Sequence, residues 1–199
     1  MLVQLKTVLD NADGQLARLT GRTSAFGRYL DSELDLVVNA ALFAALGWTT
    51  GRPPAALAGF VALTAVLSVN FNLERLYAAE HRRGRPAMPD GGGRATAALR
   101  RIYALVYAPQ DRLVEAAVER RLRGRSRAER LAYHDSATVS MLANLGMSTQ
   151  LAAFGVLIAA GRPLDFVWLA LAELGLVLAL VIRRETRLHA LVTPEQEVA

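Results

Sequence analysis

Cysteine is absent from all 199 residues, which excludes a disulfide scaffold, a Cys-ligated zinc or iron–sulfur site and a thiol nucleophile. Aromatic residues are also few, at 7%. The net charge of +5 and pI near 10.2 come with no aromatic-interleaved RNA-binding motif and no zinc-finger spacing, so nucleic acid is not an expected partner. Charge is missing altogether from residues 53 to 73 and 136 to 161, stretches of 21 and 26 residues. A bilayer core roughly 30 Å thick needs about 20 helical residues. With 53% hydrophobic residues and a mean hydropathy of +0.24, the chain reads as an integral membrane protein. Its beginning does not read as a signal peptide, because Lys6, Asp10, Asp13 and Arg18 interrupt the first 19 residues and no cleavage site follows.

Helical periods and breakers predict an all-α bundle of five spans. The first runs from about Leu2 to Leu19 and the second, after Gly21, from about Ser24 to Leu46. The third extends from about Pro54 to Tyr77, with Pro53 and Pro54 where a missing N–H costs little. The fourth is expected over Ala128 to Ala160, and the fifth from Pro163 to about Arg187. The whole chain, 1–199, is expected to be one membrane domain, with residues 81–127 an insert within it. Leu99, Ile102, Tyr103 and Val106 share a helical face beside Arg100 and Arg101, and DRLVEAAVERRL repeats that habit after Pro109. Such helices lie in the headgroup region with arginines among anionic lipids; the alternative is a charged hairpin packed on its own bundle.

Of the 23 basic residues, 14 fall between Arg75 and Arg130, three follow the last span and three (Arg18, Arg22, Arg28) mark the first turn. Only Arg52 and Arg162 occupy the opposite loops. Lys and Arg are retained in the cytoplasm, so this bias predicts a multi-pass cell-membrane protein with its first turn, insert and C-terminus inside.

Charged residues inside membrane helices point to function. Five of the 18 acids lie between Asp10 and Asp35. Asp10 and Asp13 are three apart on nearly one helical face, which Gly14 and Ala17 extend almost without side chain. Asp31 and Asp35 are four apart on the next helix, with Gly27 one turn earlier. Folding at Gly21 would bring four carboxylates together, and desolvation and mutual repulsion would force some to protonate unless divalent cations intervened. Oxygen ligands with no nearby Cys or His suit Mg²⁺, Mn²⁺ or Ca²⁺, and a pair of such ions is the usual arrangement for displacement at phosphorus. Gly14, Ala17 and Gly27 leave room for a bulky ligand against the backbone, and Arg18 can pair with phosphate oxygens. A structural salt-bridge network with Arg18, Arg22 and Arg28 would account for the charges but not for the small residues.

The spacing is more specific than the composition. Asp10, Asp13, Gly14, Ala17, Arg18, Gly27, Asp31 and Asp35 match every fixed position of D-x2-D-G-x2-A-R-x8-G-x3-D-x3-D. In this the chain resembles the CDP-alcohol phosphatidyltransferase family, although the motif spans only 26 residues. The resemblance implies that Asp10, Asp13, Asp31 and Asp35 hold two divalent cations, Mg²⁺ or Mn²⁺. It further implies that Gly14, Arg18 and Ser24 contact a CDP-linked donor, and that Asp35 is also the general base. The implied reaction transfers a substituted phosphoryl group from that donor, expected to be CDP-diacylglycerol, to a small polar alcohol with release of CMP, on the cytoplasmic side. Ser24 also suits a plain helix N-cap. The family's bundle has six spans, so the resemblance implies one more helix ahead of Asp10 than this sequence carries.

Other polar residues fall at span ends. Asn70, Asn72 and Arg75 close the third span and Arg130, Tyr133, His134 and Ser136 open the fourth, where either group could line an acceptor pocket. Glu173 within the last span faces either the bundle or a second subunit, which keeps a homodimer open. The competing reading is a non-catalytic membrane scaffold, or a truncated relative that keeps the motif for folding; the intact Asp35 argues against decay.

Overall fold

The computed structural model describes residues 25–81, 97, 101, 103–104 and 107–192, with the backbone alone for 25–33, 189, 191 and 192. All regular structure among the described residues is helical. The elements are α1 (Ala25–Thr50), α2 (Pro53–His81), α3 (Ala108–Leu122), α4 (Arg127–Tyr133), α5 (Ser136–Ala143), α6 (Met147–Ala159) and α7 (Asp165–Val192). Pro53–His81, Arg127–Ala159 and Asp165–Leu188 are long and apolar enough to cross a membrane, and Leu34–Thr50 is a shorter apolar stretch. The chain is therefore a membrane helix bundle. The expected opening helix lies outside the described residues.

The α1–α2 hairpin turns where its residues demand it. Gly51 has φ +65°, the left-handed conformation that ends a helix, and Arg52 N–H donates to Gly47 O at 3.1 Å. Pro53 then starts α2 at a position whose N–H would have no helical partner. In lipid, helices associate by close packing, because lipid tails are as apolar as the side chains themselves. Gly59 shows this: a Cβ there would lie 2.5 Å from Phe43 Cε1, so α1 and α2 meet only because Gly59 has none. Phe43 stacks on Phe166 of α7 with centroids 5.4 Å apart, and Phe154 of α6 approaches Phe166 at 4.8 Å. This aromatic cluster, with Leu46, Leu63 and Val167, forms the core of the arginine-poor end.

Helix α2 is the hub, touching α1, α3, α4, α5 and α7. Val66, Leu73, Leu142, Val177 and Leu180 fill the middle, and Val118, Leu122, Tyr133 and Leu188 fill the arginine-rich end. Large apolar residues left outside, such as Val37, Leu57, Val61, Val156, Trp168 and Ile182, suit contact with lipid.

The expected single fourth helix is broken twice, a correction with a local cause. Ser126 and Glu129 form a reciprocal capping box that starts α4. Asp135 restarts the chain as α5, its carboxylate accepting from Thr138 N–H at 2.8 Å and from Thr138 Oγ1 at 2.7 Å. The helix stops again at Asn144, whose amide donates to Ser140 O, and α6 resumes after Gly146. The first break falls at Asp135, just ahead of the uncharged run, and the second at Asn144 and Gly146 inside it, where no charge marks the cap.

The second insert helix, α3, turns its apolar face to the bundle. Val118 and Leu122 pack with Leu76, Tyr133 and Leu188. Asp111 on the same helix is buried, with its carboxylate accepting from Asn72 Nδ2 at 2.8 Å and from Tyr103 OH at 2.5 Å. Arg75 reaches both Asn72 Oδ1 and Glu115 at 2.9 Å, clamping α3 to α2.

Candidate active site

Asp35 is half-buried on α1. It borders a cavity of about 290 Å³ walled by Asn39 from α1, by Thr64, Ser68, Asn70 and Glu74 from α2, by Tyr103, Tyr107 and Asp111 from the insert, and by Gly146 and Met147 at the break before α6. The arginine-rich half of the bundle supplies most of this wall. Asn39 follows Asp35 by four residues, so both project from one stripe of α1. Asn39 is buried, and only a long 3.5 Å contact from its Nδ2 to Thr64 Oγ1 engages it. The Oδ1 atoms of Asn39 and Asn70 are buried with no partner among the described residues. Such orphaned acceptors are costly in a folded interior and rare without a ligand or water to satisfy them.

Asp31 lies one turn before Asp35 on α1 and Gly27 two turns before, with their side chains undescribed. Asp10, Asp13, Gly14, Ala17, Arg18 and Ser24 lie outside the described residues. Among the described residues no cluster of three or more His, Cys, Asp or Glu side chains assembles. The donor set that is described fits a hard divalent cation, because the cavity beside Asp35 offers carboxylate, amide and hydroxyl oxygens and neither His nor Cys.

The two groups of polar residues at span ends part company. Asn70 lines the cavity and Asn72 holds Asp111 at its edge, whereas His134 is buried away from it. There His134 Nδ1 accepts from the Arg184 guanidinium at 3.2 Å, while Arg184 Nε donates to Tyr133 O at 2.9 Å and its guanidinium lies 4.3 Å from the Tyr133 ring centre. Arg130 makes a two-pronged bond to Glu80 at 3.1 and 3.0 Å. These residues lock α4 to α2 and α7. Glu173 faces the bundle, accepting from the buried Gln150 Nε2 at 2.7 Å.

Sequence reasoning missed Asn39, Tyr103, Tyr107 and Asp111. Asn39 could have been found, as it continues the Asp31–Asp35 stripe at helical spacing into an apolar run. Asp111 could not, since its partner Asn72 is 39 residues away in sequence.

Spanning helices around a cavity that sets three carboxylates among apolar side chains define a polytopic membrane protein with a site for polar chemistry. The family follows from comparison: the profile for CDP-alcohol phosphatidyltransferase matches residues 1–123, and the chain belongs to that family of transferases. It is 42% identical over 78 residues to the bifunctional IPC transferase and DIPP synthase of Thermococcus kodakarensis, and 37% identical over 78 residues to the protein of that name from Rubrobacter xylanophilus. These matches cover 38% and 39% of this chain but 18% of each relative, so the matched region is under a fifth of the length of either. No solved structure matches the chain.

Proposed function

We propose that the protein is a CDP-alcohol phosphatidyltransferase working on the cytoplasmic side of the cell membrane, with CDP-diacylglycerol as donor and a small polar alcohol as acceptor. The observation that carries this is Asp35, the last carboxylate of the motif, standing at the wall of a cavity large enough for a small ligand and bearing two unpaired amide oxygens, those of Asn39 and Asn70. Asp35 takes the proton from the acceptor hydroxyl as that oxygen attacks the phosphorus bearing the lipid alcohol. The new bond joins acceptor oxygen to phosphorus, the bond to the bridging diphosphate oxygen breaks, and CMP departs with those electrons. Gly14, Ala17 and Gly27 let the donor approach the backbone, while Arg18 and Ser24 hold its phosphates and so fix the attacked phosphorus near Asp35. Asp10, Asp13, Asp31 and Asp35 would hold two Mg²⁺ or Mn²⁺ ions, whose charge would offset that of the diphosphate and the leaving group. The insert, 81–127, belongs to this single domain, and its Tyr103, Tyr107 and Asp111 line the same cavity as Asp35. The arginine bias supports the cytoplasmic placement.

The purified chain, given CDP-diacylglycerol and a panel of alcohols, is expected to release CMP in the presence of Mg²⁺ or Mn²⁺ and to stop when the cation is chelated. Absence of release with every CDP-linked donor would favour the scaffold reading.

A further inference from the structure

Helix α3 is amphipathic in two directions. Around its axis, Asp111, Val118 and Leu122 are buried against the bundle, while Leu113, Ala116, Ala117 and Arg120 fall at helical spacing on the opposite, exposed side. Along its axis, that exposed stripe changes from apolar to basic. Leu113 is 73% exposed near the start, whereas Arg120, Arg123 at the C-cap and Arg127 at the start of α4 are exposed beyond Ala117. Neighbouring arginines are engaged: Arg75 pairs with Glu115, Arg121 with Glu185, Arg125 with Glu129 and Arg130 with Glu80. Arg120, Arg123 and Arg127 have no carboxylate at ion-pair distance among the described residues. The two ends of α3 also stand at different levels of the bundle. Asp111 is bonded to Asn72, in the last turn of the uncharged run 53 to 73, and Leu122 packs with Leu188, past Arg183 and Arg184 on α7. Leu113 therefore stands at the edge of the hydrocarbon, and Arg120 and Arg123 among the headgroups.

We propose that the outward face of α3 is a docking surface for anionic phospholipids, with Leu113, Ala116 and Ala117 against acyl chains and Arg120, Arg123 and Arg127 on phosphate oxygens. A guanidinium grips a phosphate with two parallel hydrogen bonds, and a basic residue close to an anionic membrane surface is worth about fivefold in affinity. This differs from a helix lying apolar side down, because α3 gives its buried apolar side to the bundle and meets lipid with the other. An acidic soluble protein is the poorer fit, since it would have to displace the leaflet that the spans already hold against this face. The same helix carries Asp111 to the cavity beside Asp35, so headgroups on its outer face brace one wall of the candidate site.

The absence of native cysteine makes the face open to a single fluorescent label. The full chain carrying Ala117→Cys, labelled with bimane, is placed in nanodiscs of mixed phosphatidylglycerol and phosphatidylcholine, with the acyl chains of one or the other lipid brominated to quench the label. The relative affinity read from quenching is expected to favour phosphatidylglycerol about fivefold or more. Arg120→Gln together with Arg123→Gln is expected to bring that ratio close to one. Arg52→Gln with Arg162→Gln, which removes the same charge at the opposite end, should leave it unchanged. Amide exchange across α3 is expected to slow in phosphatidylglycerol for the unaltered chain and not for the Arg120 and Arg123 variant. No quenching by either lipid, a ratio near one in the unaltered chain, or a ratio lost equally in both double variants would overturn the docking surface. So would a ratio that survives the loss of Arg120 and Arg123. Equal exchange of α3 in the two lipids would overturn the bracing of the cavity wall. Should the variants fail to fold, the ratio measured with both arginines in place still decides the docking surface.

Discussion

The two ends of the bundle are held by different physics. At the arginine-poor end, Phe43, Phe154 and Phe166 interlock and Gly59 lets two backbones close up, so the fit is one of shape. At the arginine-rich end, Asp111, Asn72, Arg75, Arg130 and Arg184 tie four helices through directed bonds. Shape packing by aromatic and aliphatic side chains offers a ligand no hydrogen-bonding group. Among the described residues, a carboxylate of the family motif meets orphaned acceptors at the polar end, and it is there that the proposed chemistry sits. The difference separates what a substitution does to stability from what it does to turnover.

The largest contrast is expected at Asp35. Asp35→Asn keeps the shape but cannot take a proton, and loss of a general base typically costs about 10²- to 10⁴-fold in rate. Donor binding should partly survive, and the melting temperature in detergent should barely move. Phe166→Ala should do the opposite, because removing a fully packed ring costs about 3–5 kcal/mol. Thermal unfolding would show the loss, while turnover per folded molecule stays near that of the unaltered chain.

Arg184→Leu should cost about 1.5–3 kcal/mol, the usual worth of hydrogen bonds made by a charged group, because the Tyr133 carbonyl loses its donor in a buried place. Its signature would be faster proteolysis or hydrogen exchange confined to α4. Gly59→Ala should cost about 1–3 kcal/mol by forcing Phe43 aside, again read in unfolding and not in acceptor KM. Orientation carries no energetic cost but would sharpen the comparison. Single cysteines at Thr50 and Gly161 should react with an impermeant thiol reagent from outside, and one at Gly92 only after permeabilisation. Labelling of Gly92 in intact cells would place the polar end outside.

The shape-packed end was the more legible in the sequence. Uncharged runs and Pro53 located α2 within a few residues, and α1 and α7 extend the expected spans by about a turn, since helix ends depend on caps and contacts more than on apolar periodicity. The polar end was legible only where spacing is local. Asp31, Asp35 and Asn39 recur at four-residue intervals, and the Ser126–Glu129 box is a readable start signal, outweighed in the sequence reading by the uncharged run that follows it. Pairings such as Asp111 with Asn72 or Arg184 with Tyr133 join distant segments, and no periodicity encodes which of several arginines or asparagines will be chosen. The insert therefore looked like a surface feature until its buried carboxylate was placed against α2.

The most direct test of the central claim is the initial rate of CMP release per folded molecule by Asp35→Asn, measured beside the unaltered chain with saturating CDP-diacylglycerol and divalent cation. The account predicts a rate at least about a hundredfold lower with an unchanged melting temperature. A rate equal to that of the unaltered chain would contradict it and move the chemistry away from this cavity.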